Sequence, residues 1–300
     1  MVNEDVSGDC DAYAVPGSTA RAVAAARAVA AADARAVADG RDGGILPACQ
    51  YVPRVRRHRC FCRVIRDDDR MRFMFVGDSM TIGRAGDYTW RYRMWQHLDS
   101  TFAGPYRIVG PRCEVYDTTA DAPVSHAYAD PGFPEHARRH LAGWGEGWQH
   151  MAPVMGETVA AHRPDVLLVS LGLIDLGFYT DAEQTAANVR RFTAGARAAH
   201  PGIRMVLLPV IPNSRAEEDA PFAAEVDRFN DLLAKAVADL TTDASPILLA
   251  ARPASYDIHR DTYDGTHPNA SGEHRLAGEF AAVLHQAWGL GGPYRVPRLP

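Results

Sequence analysis

The chain has 300 residues, 47% of them hydrophobic, which suits one α/β domain with its own core plus an extension. A formal net charge of −5 argues against the basic face that general nucleic-acid binding requires. No run of about 20 apolar residues is present to span a bilayer.

Residues 1–70 differ in kind from the rest of the chain. An Ala/Arg/Val/Asp tract over 19–39 favours helix through its alanines, yet it carries little large apolar surface to dock on a core. The basic run Arg54-Val55-Arg56-Arg57-His58-Arg59 comes next. Biased composition without core-forming residues predicts a disordered extension, with Met71 as a natural start. The N-terminus opens on Asn3-Glu4-Asp5 and its alanine tract is broken by Arg and Asp. It lacks the basic start and compact apolar stretch of a secretory signal, so a cytoplasmic location is expected. Cysteines at 10, 49, 60, 62 and 113 form no disulfide framework. Cys60-Phe61-Cys62 has no second Cys or His pair nearby at ligand spacing, and no metal or organic cofactor is expected.

From Met71 the chain alternates strands and helices. Short apolar runs at Arg72–Val76, Tyr106–Val109, Val166–Leu171, Ile203–Val210 and Ile247–Leu249 read as buried strands. Helical patterns lie between them, around 88–99, 144–163, 181–199, 221–240 and 270–287. This alternation predicts a five-stranded parallel sheet with helices on both faces, an α/β/α sandwich over 71–290 followed by a short tail, 291–300. Loops after several strands then meet at one sheet edge, where ligands bind. The stretch from Pro111 to Gly143 shows little regular pattern and is expected to form a lid. Tyr88, Tyr92 and Trp95 share a helix face, with core packing as their first expectation and sugar stacking as the second. Trp144 and Trp148 carry the same two readings. His259, between acidic residues, is expected to be solvated. His126, His136 and His140 lie within the Pro111–Gly143 stretch, and His150 follows it.

Two motifs carry chemistry. Phe73-Met74-Phe75-Val76-Gly77-Asp78-Ser79-Met80 runs an apolar strand into Gly-Asp-Ser, and Tyr263-Asp264-Gly265-Thr266-His267-Pro268 lies near the other end. A serine hydroxyl needs an adjacent general base, and an imidazole base needs a group that fixes its tautomer. Ser79, His267 and Asp264 supply these three parts. Alone, Gly-Asp-Ser is more often a turn, and the Asp264–His267 turn could be a polar lead-in to a helix capped by Asn269 or Ser271. Their joint occurrence in order, with Gly172-Leu173-Ile174-Asp175 between them, points to a catalytic group. An α/β-hydrolase elbow would place Gly at position 81, which is Thr.

These motifs resemble the SGNH or GDSL family of hydrolases over roughly residues 71–288, and the wider wording is similar to an actinobacterial group within it. The resemblance implies a flavodoxin-like fold and a serine nucleophile at Ser79. It further implies an oxyanion hole built from the Ser79 N–H and a block-two glycine, for which Gly145 is the first candidate and Gly143 the next. Where the family carries an oxyanion-hole asparagine, this chain has Ile174, which has no donor. Asn213, after the fourth strand, is a candidate replacement, and Asp78 and Asp175 complete the expected pocket. The expected activity is hydrolysis of a carboxylic ester, an acetyl or short-chain acyl ester of a sugar or small natural product. Acyl transfer or cyclisation on the same fold is the alternative, and a catalytically weak binding protein the third reading.

Overall fold

The computed structural model describes residues 70–296; the expectations for the first 69 residues and for Cys60 and Cys62 lie outside the described residues. Eight strands and eight α-helices occur in chain order among them. β1 (Met71–Gly77) leads into the one-turn α1 (Ser79–Ile82), then α2 (Trp90–Thr101) and β2 (Tyr106–Ile108). A hairpin of β3 (Val115–Asp117) and β4 (Ala122–Ser125) precedes the two-residue β5 (Leu141–Ala142) and α3 (Trp148–His162). β6 (Val166–Ser170), α4 (Ala182–Ala199), β7 (Arg204–Leu208), α5 (Ser214–Glu218) and α6 (Ala220–Leu240) come next. β8 (Ile247–Leu249), α7 (Ile258–Asp261) and α8 (Ala270–Trp288) close the domain.

The five expected strands pair in parallel in the order β2-β1-β6-β7-β8, and β5 adds a sixth strand against the end of β1. Counting only those five, the order is 2-1-3-4-5, the flavodoxin-like arrangement whose switch point lies between the first and third strands. Val76 pairs with Val169 and Gly77 with Ser170, so the chains leaving β1 and β6 emerge side by side. Phe73 to Val76 and Val166 to Val169 are fully buried, as expected of strands covered on both faces. One helix group, α2 with α8, and a second, α3 with α4 and α6, cover the sheet. α4 buries Ala182, Thr185, Ala186, Val189, Phe192 and Ala196, which is one face at helical spacing. Its N-cap, Asp181, accepts from the Gln184 N–H at 2.8 Å.

Two expectations are corrected. The 111–143 segment is ordered: it forms the β3–β4 hairpin, a short helical turn at Glu135–Ala137 and β5. Its regularity escapes a sequence pattern because these strands are two to four residues long. Tyr88 precedes α2, whose N-cap is Thr89. Tyr92 and Trp95 still pack on the core: Tyr92 meets Phe133 edge-on at 5.1 Å, and Trp95 lies 5.3 Å from the same ring. No helix among the described residues is long and apolar enough to cross a membrane.

Candidate active site

The sequence Gly77-Asp78-Ser79 makes the sharp exit from β1 possible. A Cβ on Gly77 would sit 1.9 Å from Thr81 Oγ1 and 2.8 Å from the Ser170 carbonyl oxygen, so only glycine fits between β1, β6 and α1. Asp78 then caps α1, one carboxylate oxygen accepting from the Met80 N–H at 3.0 Å. Its other oxygen is buried without a hydrogen-bond partner. Burial pushes the Asp78 carboxyl up to about 7; the Met80 N–H opposes this and the charge of Asp175 adds to it. The far end of α1 is held by Arg91, which is fully buried. Its guanidinium donates to the carbonyls of Thr81 at 2.7 Å, Ile82 at 3.0 Å and Arg138 at 2.9 Å. The role of Arg91 was invisible in the sequence, since nothing distinguishes it locally from the arginines beside it.

Across the cleft, the turn before α8 carries the imidazole. Asn269 caps α8 through the N–H groups of Ser271 and Gly272, so the capping role and the neighbouring motif coexist. Asp264 Oδ1 accepts from the N–H groups of Thr266 at 3.0 Å and His267 at 2.8 Å, which fixes the turn. Asp264 Oδ2 lies 2.7 Å from His267 Nδ1, and His267 Nε2 lies 2.9 Å from Ser79 Oγ. Partial burial pushes the Asp264 carboxyl up, but hydrogen bonds from the His267 N–H and imidazole outweigh it and leave the group below its ordinary value. Gly265, at φ +83°, gives its carbonyl to the Ser214 N–H at 2.8 Å and ties the turn to the start of α5.

The cleft beside Ser79 holds about 460 Å³ and is lined by Trp144, Gly145, Ile174, Phe178, Tyr179 and Phe222, among others. No residue of 111–143 lines it, so that segment does not act as the expected lid. Among the described residues the N–H groups of Ser79 and Gly145 make no hydrogen bond, whereas the Gly143 N–H is engaged by the Gly77 carbonyl at 3.2 Å. Gly145 has φ +72°, a left-handed conformation that glycine adopts without penalty. Ile174 ends at the cleft, and Asp175 turns away: its carboxylate accepts from Trp148 N–H at 2.7 Å and Gln149 N–H at 3.0 Å at the start of α3. Burial raises the Asp175 carboxyl, and these two N–H groups oppose the rise. A Cβ on Gly147 would strike Asp175 Oδ2 at 2.2 Å, so glycine is required there.

Asn213 lines the cleft, but its side-chain oxygen caps α5 through the Ala216 N–H at 3.0 Å and its amide donates to the Ile211 carbonyl at 3.2 Å. A capping role accounts for both atoms. Trp148 is core, fully buried against Phe192, while Trp144 lies on the His267 ring. His259 is exposed and pairs with Glu217 at 3.7 Å. His140 is buried; its Nδ1 accepts from the Ala142 N–H at 3.1 Å and its Nε2 lies 2.9 Å from the Glu114 carbonyl. His150 accepts from the Gly147 N–H at 3.0 Å. Cys113, Glu114 and His126 each bring a potential ligand atom within 4.8 Å of the others, a grouping that sequence spacing did not suggest.

The fold is similar to that of a carbohydrate esterase family 3 protein from Talaromyces cellulolyticus, with a TM-score of 0.58 and 23% identity, covering 72% of this chain and 97% of that one. It is also similar to a family 3 carbohydrate esterase from Clostridium thermocellum, with a TM-score of 0.56 and 16% identity, covering 71% and 94%. At such identities the likeness concerns the fold. No protein of curated function matches the sequence. The model of the GDSL-like lipase/acylhydrolase family matches residues 75–275, a span that includes Ser79, Asp264 and His267. The chain belongs to that family of ester hydrolases.

Proposed function

We propose that the chain is a serine esterase that works through an acyl-enzyme on Ser79 and takes an acetyl or short-chain acyl ester of a sugar or small natural product. The observation that carries this reading is the continuous chain from Ser79 Oγ through His267 to Asp264, at 2.9 Å and 2.7 Å, opening on the cleft. Ser79 Oγ attacks the ester carbonyl while His267 Nε2 takes its proton, then returns that proton to the departing alcohol. Asp264 holds Nδ1–H and so leaves Nε2 free to accept. Water repeats the cycle on the acyl-enzyme. The developing oxyanion is received by the N–H groups of Ser79 and Gly145, with no third donor from position 174. The 71–290 segment is the catalytic unit in this reading.

Two features support the substrate class. Phe178 and Tyr179 offer exposed aromatic faces in the cleft, and such faces suit a ligand with apolar ring faces and polar edges. The structurally similar carbohydrate esterases point the same way. A cleft of about 460 Å³ has room for the alcohol part of an ester as well as its acyl group. The apolar Ile174 wall favours a second reading, acyl transfer to an alcohol or amine, because it gives water no partner there.

The test is an ester panel of acetylated sugars, short p-nitrophenyl esters and longer acyl chains, run on wild type and Ser79→Ala. The expected result is turnover of short acyl esters that disappears in Ser79→Ala at an unchanged melting temperature. Near wild-type turnover in that variant removes Ser79 from the mechanism.

A further inference from the structure

Asp264 holds His267 at one ring atom only, Nδ1. The two lie on one short turn, and the Asp264 side chain is 44% exposed, so water competes for its bond to the imidazole. A second restraint surrounds the ring. The Trp144 indole lies on the imidazole with centroids 4.8 Å apart and planes 13° from parallel. Tyr116 backs the indole at 4.4 Å and 17°. Tyr263 also stacks on His267, at 5.7 Å and 12°, and the Arg84 guanidinium sits 3.7 Å from the Tyr263 ring centre.

We propose that Trp144 is a positioning residue for His267, its indole holding the imidazole in the plane where Nε2 meets Ser79 and Nδ1 meets Asp264. The proposal rests on the reading of Ser79, His267 and Asp264 as the catalytic group. Turning the imidazole about its side-chain bond would swing Nε2 away from Ser79 Oγ, and the same motion would lose the face-to-face overlap with the indole. The overlap therefore favours the orientation in which both hydrogen bonds are made. Near-parallel ring pairs contribute beyond simple burial.

The indole is itself anchored to the nucleophile side of the cleft. Tyr116 belongs to β3, and its main chain pairs with the loop after α1: Tyr116 N–H donates to the Gly83 carbonyl at 2.9 Å and Ala85 N–H donates to the Tyr116 carbonyl at 2.8 Å. One hairpin thus registers both the end of the Ser79 turn and the ring that backs Trp144. This gives the ordered 111–143 segment a function: it supports the base from behind.

Trp144 also lines the cleft, so the test must separate positioning from substrate contact. Trp144→Ala, Trp144→Phe and Tyr116→Leu are compared on a small acetate ester, alongside inactivation by a small fluorophosphonate. The expected result for Trp144→Ala is a fall in kcat and in inactivation rate by about 2- to 10-fold, with KM for the small ester nearly unchanged. Trp144→Phe should recover most of this. Tyr116→Leu should show a smaller fall in kcat at unchanged KM, because Tyr116 does not line the cleft. The His267 ring proton resonances should move when the indole ring current is removed. A raised KM with kcat intact in Trp144→Ala overturns the proposal and leaves Trp144 as a substrate contact. Unmoved His267 resonances overturn it as well. Should Trp144→Ala fail to fold, Trp144→Phe and Tyr116→Leu decide: equal, wild-type kcat in both overturns it. Activity surviving in His267→Ala would instead sink the catalytic reading itself.

Discussion

Ile174→Asn adds a side-chain N–H to the part of the cleft where the proposed mechanism puts the oxyanion. Ile174 lies beside Ser79 and Gly145 in the cleft lining, with an ordinary helical backbone (φ −68°, ψ −39°) that asparagine also adopts. Two free backbone N–H groups, those of Ser79 and Gly145, already face the reaction in the proposed mechanism. A third, well-placed donor is worth about 10²–10³ in kcat. The structure argues for less. The neighbouring Asp175 carboxylate is committed to the Trp148 and Gln149 N–H groups, and Leu173 and Phe178 offer no polar support. An amide without supporting contacts samples several rotamers and only partly realises the bond. The expected gain is therefore about tenfold in hydrolytic kcat. KM should change less, because the new bond strengthens in the transition state. Steady-state hydrolysis of p-nitrophenyl acetate measures both. An unchanged kcat would put position 174 out of reach of the oxyanion. A lower kcat, together with wild-type acyl transfer to an alcohol or amine outpacing hydrolysis, would replace the hydrolase reading with the transferase one.

Asp78→Asn tests the buried carboxyl. Its folded value of about 7 stands above the ordinary 3.8, so between about pH 4 and 7 the folded state keeps a proton that the unfolded state releases. Wild-type stability should therefore fall relative to the variant as pH rises through that window, by up to about 4 kcal/mol. Chemical denaturation at several pH values measures this, and parallel curves would refute the burial argument. Gly145→Ala tests the backbone donor. No atom lies within 4 Å of the added Cβ, so the effect comes from the φ of +72°, a strain of about 1–2 kcal/mol that shifts the peptide. Hydrolytic kcat should fall by far more than the accompanying drop of several degrees in melting temperature explains, and an unaffected kcat would remove the Gly145 N–H from the oxyanion site.

Much of the fold was legible because its signals are local. Apolar runs such as Phe73–Val76 and Val166–Val169 announce strands buried on both faces, and helices with one apolar stripe alternate with them. The parallel pairing was expected from that alternation, and the flavodoxin-like arrangement from the motifs' resemblance. The hairpin β3–β4 was not legible, since strands of three or four residues carry too few side chains to show a period. The meeting of Ser79, His267 and Asp264 was legible because Gly-Asp-Ser follows a strand directly and an Asp three residues before a His can share one turn with it. Their surroundings were not. Arg91, buried under α1, and Trp144, lying on His267, act across distances of many residues, and no spacing rule joins them to their partners. Asn213 shows the converse: an amide in a cleft drew attention, but its atoms serve a helix cap.

The most direct test of the central claim is covalent capture of the nucleophile. The purified protein is treated with a fluorophosphonate, then digested and mapped by mass spectrometry. An activated serine should yield one adduct, on the peptide containing Ser79, formed much more slowly in His267→Ala because the base is gone. No adduct in the wild type, or an adduct on another residue, would contradict the claim that Ser79, His267 and Asp264 form a working catalytic group.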